Sequence, residues 1–122
     1  MTKARLSLGK KGEDIALSHL KRMGYKIITR NYKSKFGEVD IIAKDRDTLA
    51  FVEVKTRETE KFGGPKMAVT ERKRRQLSKV ASEYLKRNGL SDVKARFDVV
   101  AIKLGQGRNN IEVVKDAFES PW

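Results

Sequence analysis

The stretch from Gly37 to Lys55, GEVDIIAKDRDTLAFVEVK, constrains this chain more than any other. Two short runs rich in Val, Ile, Ala and Phe flank the polar turn Lys44-Asp45-Arg46-Asp47, and so short a connection joins neighbouring strands into an antiparallel hairpin. On the first strand, alternation places Glu38, Asp40 and Ile42 on one face and Val39, Ile41 and Ala43 on the other. On the second it places Phe51, Glu53 and Lys55 together, opposite Ala50, Val52 and Val54. Strands this apolar pack against a core, so Asp40, Glu53 and Lys55 need either an exposed face or a chemical reason. An exposed Glu–Lys pair on a surface hairpin would contribute little, on the order of 0.5 kcal/mol, and periodicity does not reject it.

The rest of the chain frames this hairpin. Residues Leu6 to Met23 carry Leu8, Ile15, Ala16, Leu20 and Met23 at helical spacing, with Gly24 as the stop. Tyr25 to Tyr32 is rich in β-branched and aromatic residues and reads as a strand, and Lys33 to Gly37 turns the chain. Thr56 to Met67 reads as a polar loop containing Phe62-Gly63-Gly64-Pro65. A second helix is expected over Glu71 to Asn88, with Thr70 as N-cap, Gly89 as stop, and a buried stripe of Leu77, Val80, Ala81, Tyr84 and Leu85. Strands follow over Lys94 to Leu104 and Ile111 to Lys115, joined by a Gly- and Asn-rich hairpin loop, while Phe118 to Trp122 gives no signal. Helix, three strands, helix, two strands, with no repeat or linker, describes one α/β domain over residues 1–122 with a mixed central sheet flanked by helices.

A chain of 122 residues has room for a genuine core without staples, and with no cysteine it has no disulfide framework, which fits a reducing cytoplasm. The N-terminal segment lacks an apolar signal region, and no run reaches membrane-spanning length. Lysine and arginine number 28 against 16 acids, a net charge of +12, which points first to nucleic acid as partner. A solubilising basic surface is the alternative; an anionic membrane is disfavoured because the basic segments lack a large apolar face. His19 is the sole histidine, so no transition-metal site is expected and it is given no role.

Carboxylates on neighbouring strands suit a hard cation. Strands lie about 4.8 Å apart, a spacing at which Asp40 and Glu53 converge on one magnesium or manganese ion, with the Val54 carbonyl as a further candidate ligand. Such an ion supplies what phosphodiester hydrolysis needs: an activated water and charge stabilisation at phosphorus. Lys55, one pleat beyond Glu53, would orient or deprotonate that water. Glu13, at the edge of the first helix's apolar stripe, either reaches this site or is an ordinary helix carboxylate favoured by the dipole. Gln76 either assists through hydrogen bonds or faces solvent.

The segments Gly37-Glu38-Val39-Asp40-Ile41-Ile42-Ala43 and Phe51-Val52-Glu53-Val54-Lys55-Thr56-Arg57 resemble the motif of the PD-(D/E)XK nuclease superfamily. The likeness extends to Gly12-Glu13-Asp14-Ile15-Ala16, Gly24-Tyr25 and Arg96-Phe97-Asp98-Val99-Val100. Over nearly the whole chain it is similar to the YraN-like family of largely uncharacterised bacterial proteins, and more distantly to archaeal-type Holliday junction resolvases. The resemblance implies a restriction endonuclease-like fold, metal binding by Asp40 and Glu53, a catalytic role for Lys55, and a site role for Glu13. Val39 stands where the motif's name has proline. Lys33, Lys35, Arg57, Lys61, Lys66, Arg72, Lys73 and Arg75 would bracket the site and meet phosphates of duplex or branched DNA without reading sequence. Sparse aromatics among them disfavour a single-strand stacking platform. By analogy with resolvases, a homodimer is expected. A non-catalytic nucleic-acid-binding module of the same fold is the alternative.

Overall fold

Short turns between alternating apolar runs fold the first half of the chain into a meander. The structure, a computed structural model, describes residues 3–57, 69–104 and 110–121, with side chains from Gly9 onward. Its elements are α1 (Lys3–Arg22), β1 (Lys26–Ser34), β2 (Gly37–Asp45), β3 (Thr48–Arg57), α2 (Glu71–Arg87), β4 (Lys94–Lys103) and β5 (Asn110–Val114). The strands form one sheet in the order β1-β2-β3-β4-β5. Every neighbouring pair is antiparallel except β3–β4, which is parallel and therefore needs a crossover, supplied by α2. A mixed five-stranded sheet flanked by two helices is the α/β arrangement expected, consistent with the restriction endonuclease-like fold.

Each helix covers one face. Ala16 and Leu20 of α1 pack with Ile41, Ala43, Ala50, Val52, Val100 and Ile102, whereas Leu77, Val80, Ala81, Tyr84 and Leu85 of α2 pack with Ile42, Leu49, Phe51, Phe97 and Val99. The α2 stripe and its cap are as read from the sequence, with Thr70 Oγ1 accepting the Lys73 N–H at 3.1 Å. The α1 stripe stops short of Met23 at its C-terminal end, while the Leu8 side chain lies outside those described. Helix α1 ends at Arg22, Gly24 takes φ +99°, and the Tyr25 N–H closes on the Leu20 carbonyl at 3.0 Å. Met23 thus lies in the terminating turn and is 42% exposed rather than buried. The C-terminal segment also carries more than its sequence suggested: Phe118 stacks on Phe97 at 4.6 Å between ring centroids, and the Ala117 N–H donates to the Phe97 carbonyl.

Helix α1 approaches β3 closely because Gly12 has no side chain there; a Cβ would overlap Thr56 Oγ1. Gly12→Ala is expected to destabilise the protein by about 1–3 kcal/mol through overpacking, despite alanine's better helix propensity. Urea unfolding of Gly12→Ala alone and with Thr56→Ala checks this, since the double variant should recover part of the loss. Among the described residues no helix is long and apolar enough to cross a membrane.

Candidate functional site

The site lies where β2 and β3 part. Their ladder runs from Asp45–Thr48 to Ile41–Val52. Beyond it, the Val54 N–H donates not to the backbone of β2 but to Asp40 Oδ2, at 2.7 Å. The alternation expected for β2 fails at this point. Val39 joins Ile42 in the cluster under α2, while Ile41 and Ala43 lie under α1. The side chain of Asp40 has taken over a donor that a continued ladder would have paired, so the pleat loses its phase there.

Glu53 points into the resulting fork and is only 4% exposed, which excludes the surface-hairpin alternative for this residue. Its carboxyl lies against that of Asp40, close enough for the Asp40 charge to raise its cost of ionisation. Two ammonium groups flank it: Lys55 Nζ at 3.7 Å along the same strand, and Lys73 Nζ at 3.6 Å from the first turn of α2. Burial, and then the neighbouring Asp40, push the Glu53 carboxyl up to about 8, while the two lysines oppose the shift. The balance favours the protonated acid when no cation is present.

Glu13 reaches this neighbourhood from α1. Its carboxyl is raised by burial first and then by Asp40 and Glu38, against the attraction of Arg30 at 3.8 Å. With its amide oriented to donate, Asn31 stands 3.0 Å from Glu13 Oε1 and 3.3 Å from Glu38 Oε1, linking α1 to the hairpin. No motif in the sequence marks Asn31; its φ of +54°, a conformation asparagine tolerates better than most residues, is the available signal.

Gln76 lies against Gly37, where φ is +140° and a Cβ would overlap its side chain. It shares an open cleft with Lys35, Phe36, Arg72, Lys73 and Arg75. Of the expected phosphate contacts, Lys35, Arg72 and Arg75 lie along this cleft, whereas Lys73 also belongs to the acidic site. Lys33 lies on β1 opposite Glu38. Arg57 closes β3, its carbonyl accepting the Leu104 N–H at 2.8 Å. Lys61 and Lys66 lie outside the described residues.

The donor set can be tested against a hard cation. Among the described residues no group of three or more His, Asp or Glu side chains is placed to hold a metal by itself. Magnesium, however, keeps several waters and is commonly bound through one or two carboxylates. Asp40 and Glu53 supply two apposed carboxyls, one of them buried and raised above the ordinary carboxylate range, and a cation between them would relieve the repulsion that helps raise it. The residues present fit such an ion.

A second buried polar cluster lies on the α1 face, and no role for it is legible in the sequence. Asp98, with no exposed surface, accepts from the Tyr25 hydroxyl at 2.8 Å, Arg96 Nε at 2.8 Å and the Asp116 N–H at 3.0 Å. Arg96 continues to Asp45 at 2.7 Å, which Lys115 meets at 3.0 Å. Burial and the Asp98 charge hold the Tyr25 hydroxyl protonated, and hydrogen bonds from Arg96 and Lys115 lower Asp45.

The fold places this chain among α/β proteins with a restriction endonuclease-like mixed sheet. It belongs to the uncharacterised protein family UPF0102, whose profile matches residues 12–102. It is 46% identical to a UPF0102 protein of Desulfosudis oleivorans over 121 residues, covering 98% of this chain and 96% of that one. A UPF0102 protein of Geobacter sulfurreducens is 52% identical over 113 residues, covering 92% and 88%. A third, from Syntrophus aciditrophicus, is 47% identical over 114 residues, covering 93% and 90%.

Proposed function

We propose that this protein is a divalent-metal-dependent endonuclease that hydrolyses phosphodiester bonds in duplex or branched DNA. One observation carries the reading: Glu53, buried and forced against Asp40, is flanked by two lysines at the edge of a cationic cleft. Asp40 and Glu53 would hold magnesium or manganese, with the Val54 carbonyl as a further ligand. The ion would supply Lewis-acid stabilisation of phosphate charge and an acidified water. The Val54 N–H fixes Asp40, and the Asp40 charge favours the proton that Glu53 holds in the absence of a cation. Lys55 orients the attacking water. Lys73 meets the phosphate, and Arg72 and Arg75 align the backbone along the cleft. Glu13 adds negative charge beside Asp40, and Gln76 offers hydrogen bonds from the cleft wall. The reducing cytoplasm is the expected setting, and a two-fold dimer the expected form on a symmetric junction.

A non-catalytic nucleic-acid-binding module is favoured by one feature, the placement of Lys55 and Lys73 beside Glu53, which tempers its repulsion with Asp40 without any metal. Cleavage of duplex, flapped and four-way-junction DNA with magnesium or manganese separates the two. Asp40→Asn and Lys55→Met are each expected to lower the rate about 10²–10⁴-fold while binding persists. Variants that cut as well as wild type would sink the site assignment. Binding without cleavage of any substrate would favour the module.

A further inference from the structure

Three large apolar side chains are exposed among the described residues: Met23, Ile28 and Phe36. Single exposed apolar residues are ordinary, so what distinguishes Phe36 is its surroundings. It occupies the tip of the β1–β2 hairpin, in the two-residue turn between Ser34 and Gly37, and is 38% exposed. The tip is braced from both sides. The Phe36 N–H donates to Ser34 Oγ at 3.1 Å, and Gly37 is pressed against the Gln76 side chain of α2. Lys35 Nζ lies over the ring, 5.2 Å from its centroid. The ring lines the same cleft as Arg72, Lys73, Arg75, Lys79 and the polar Thr70 and Gln76, and Lys73 of that lining reaches Glu53 at 3.6 Å.

A rigid aromatic bordering a row of cations matches the chemistry of a nucleic acid at a point where one base is unstacked. Phosphates meet the cations, and the free π-face of the base meets the ring. A continuous duplex offers no such face; a flap, a junction or a frayed end does. One aromatic makes a single contact, not the platform that tracks a single strand. We propose that Phe36 is the branch-sensing residue of this protein, stacking on the unpaired or splayed base beside the scissile phosphate so that branched DNA is preferred over linear duplex. This rests on the nucleic-acid reading of the site but not on turnover.

The test is a binding competition in EDTA between four-way-junction or flapped DNA and a linear duplex of the same sequence, with 2-aminopurine at the branch nucleotide. Wild type is expected to prefer the branched forms and to quench the probe. Phe36→Ala should lower that preference about tenfold and abolish the quenching with little change in duplex affinity. Phe36→Trp should retain both, and Phe36→Leu should restore neither, because an aliphatic side chain has no stacking face. Equal losses on branched and linear DNA, full rescue by leucine, or a wild type without branched preference would each overturn the proposal. Cleavage measured in parallel keeps the two readings apart. A wild type that cuts while Phe36→Ala keeps its preference removes the branch sensor and leaves the nuclease. A wild type that never cuts but loses preference in Phe36→Ala does the reverse.

Discussion

Asp98→Ala is expected to cost about 3–5 kcal/mol of folding stability, the largest effect expected of a polar substitution among the described residues. The side chain is fully buried yet wholly satisfied, accepting from a hydroxyl, a guanidinium and a backbone amide. Truncation would strand all three donors. Arg96, with 17% of its side chain exposed, would retain Asp45 but lose the partner on its Nε. The Tyr25 hydroxyl, on a buried residue, would be left without an acceptor at about 1–3 kcal/mol of desolvation, whereas the Asp116 N–H, on an exposed residue, would turn to water at smaller cost. Asp98→Asn should fall in between, because the amide keeps one acceptor but loses the charge. Urea unfolding checks this as a shift in midpoint at unchanged slope, and a change below about 1 kcal/mol for Asp98→Ala would show that the cluster is not under load.

Glu53→Gln is expected to remove the destabilisation that rising pH imposes on the metal-free protein through this group. The Glu53 carboxyl is raised from its ordinary 4.5 to about 8, by burial first and by Asp40 second. The native state thus binds this proton more tightly than the unfolded chain does. The associated stability is fully present below the unfolded value of about 4.5 and is lost as pH rises through about 8. The glutamine amide would mimic the protonated acid, donating to Asp40 with nothing to ionise. In EDTA the variant should match wild type near pH 5 and exceed it above pH 8, by on the order of a few kcal/mol. Taking the difference between the two proteins cancels most other titrating groups. Magnesium should then stabilise wild type at pH 8 by RT ln(1 + [Mg]/Kd), about 2.7 kcal/mol at a hundredfold excess over Kd, and should leave Glu53→Gln nearly unmoved. Parallel pH curves, or equal responses to magnesium, would count against a cation site at this pair.

The hairpin, both helices and all five strands could be read from spacing and turn chemistry, because each is a local pattern with its own period. The charged trio was visible for the same reason. What stayed hidden were the places where a side chain behaves as backbone or where distant segments meet. Asp40 replaces a ladder partner, so the alternation that assigns Val39 and Ile41 to one face breaks at the residue that matters most. Lys73 looked like one more cation on a basic helix; its contact with Glu53 depends on how α2 crosses the sheet, which no local period encodes. Arg96 and Asp98 lie two residues apart on β4, but their acceptor and donor partners, Asp45, Tyr25 and Asp116, come from three other segments. Met23 falls outside the core because a glycine-terminated helix releases the residue just before its stop.

The parting of β2 from β3 has a mechanical side. Beyond Ile41 the β1–β2 hairpin has no ladder to the rest of the sheet and is carried by α2 instead, through Val39 in the core, Tyr32 on Glu83 at 2.8 Å, and Gly37 against Gln76. It is a bracket fastened to a helix and joined to the strand that holds Glu53 only through Asp40, which accepts the Val54 N–H, and its tip projects past the acidic pair. The tip of the arm is therefore separable from the chemistry, which begins at Asp40. Lengthening, shortening or rewriting the turn at Lys35 and Phe36 changes what the bracket touches while the positions of Glu53 and Lys55 stay set by the parallel β3–β4 pairing behind them. On the nuclease reading proposed above, a fold divided in this way would let one chemical centre serve nucleic acids of different shape by redrawing two residues at the end of an arm.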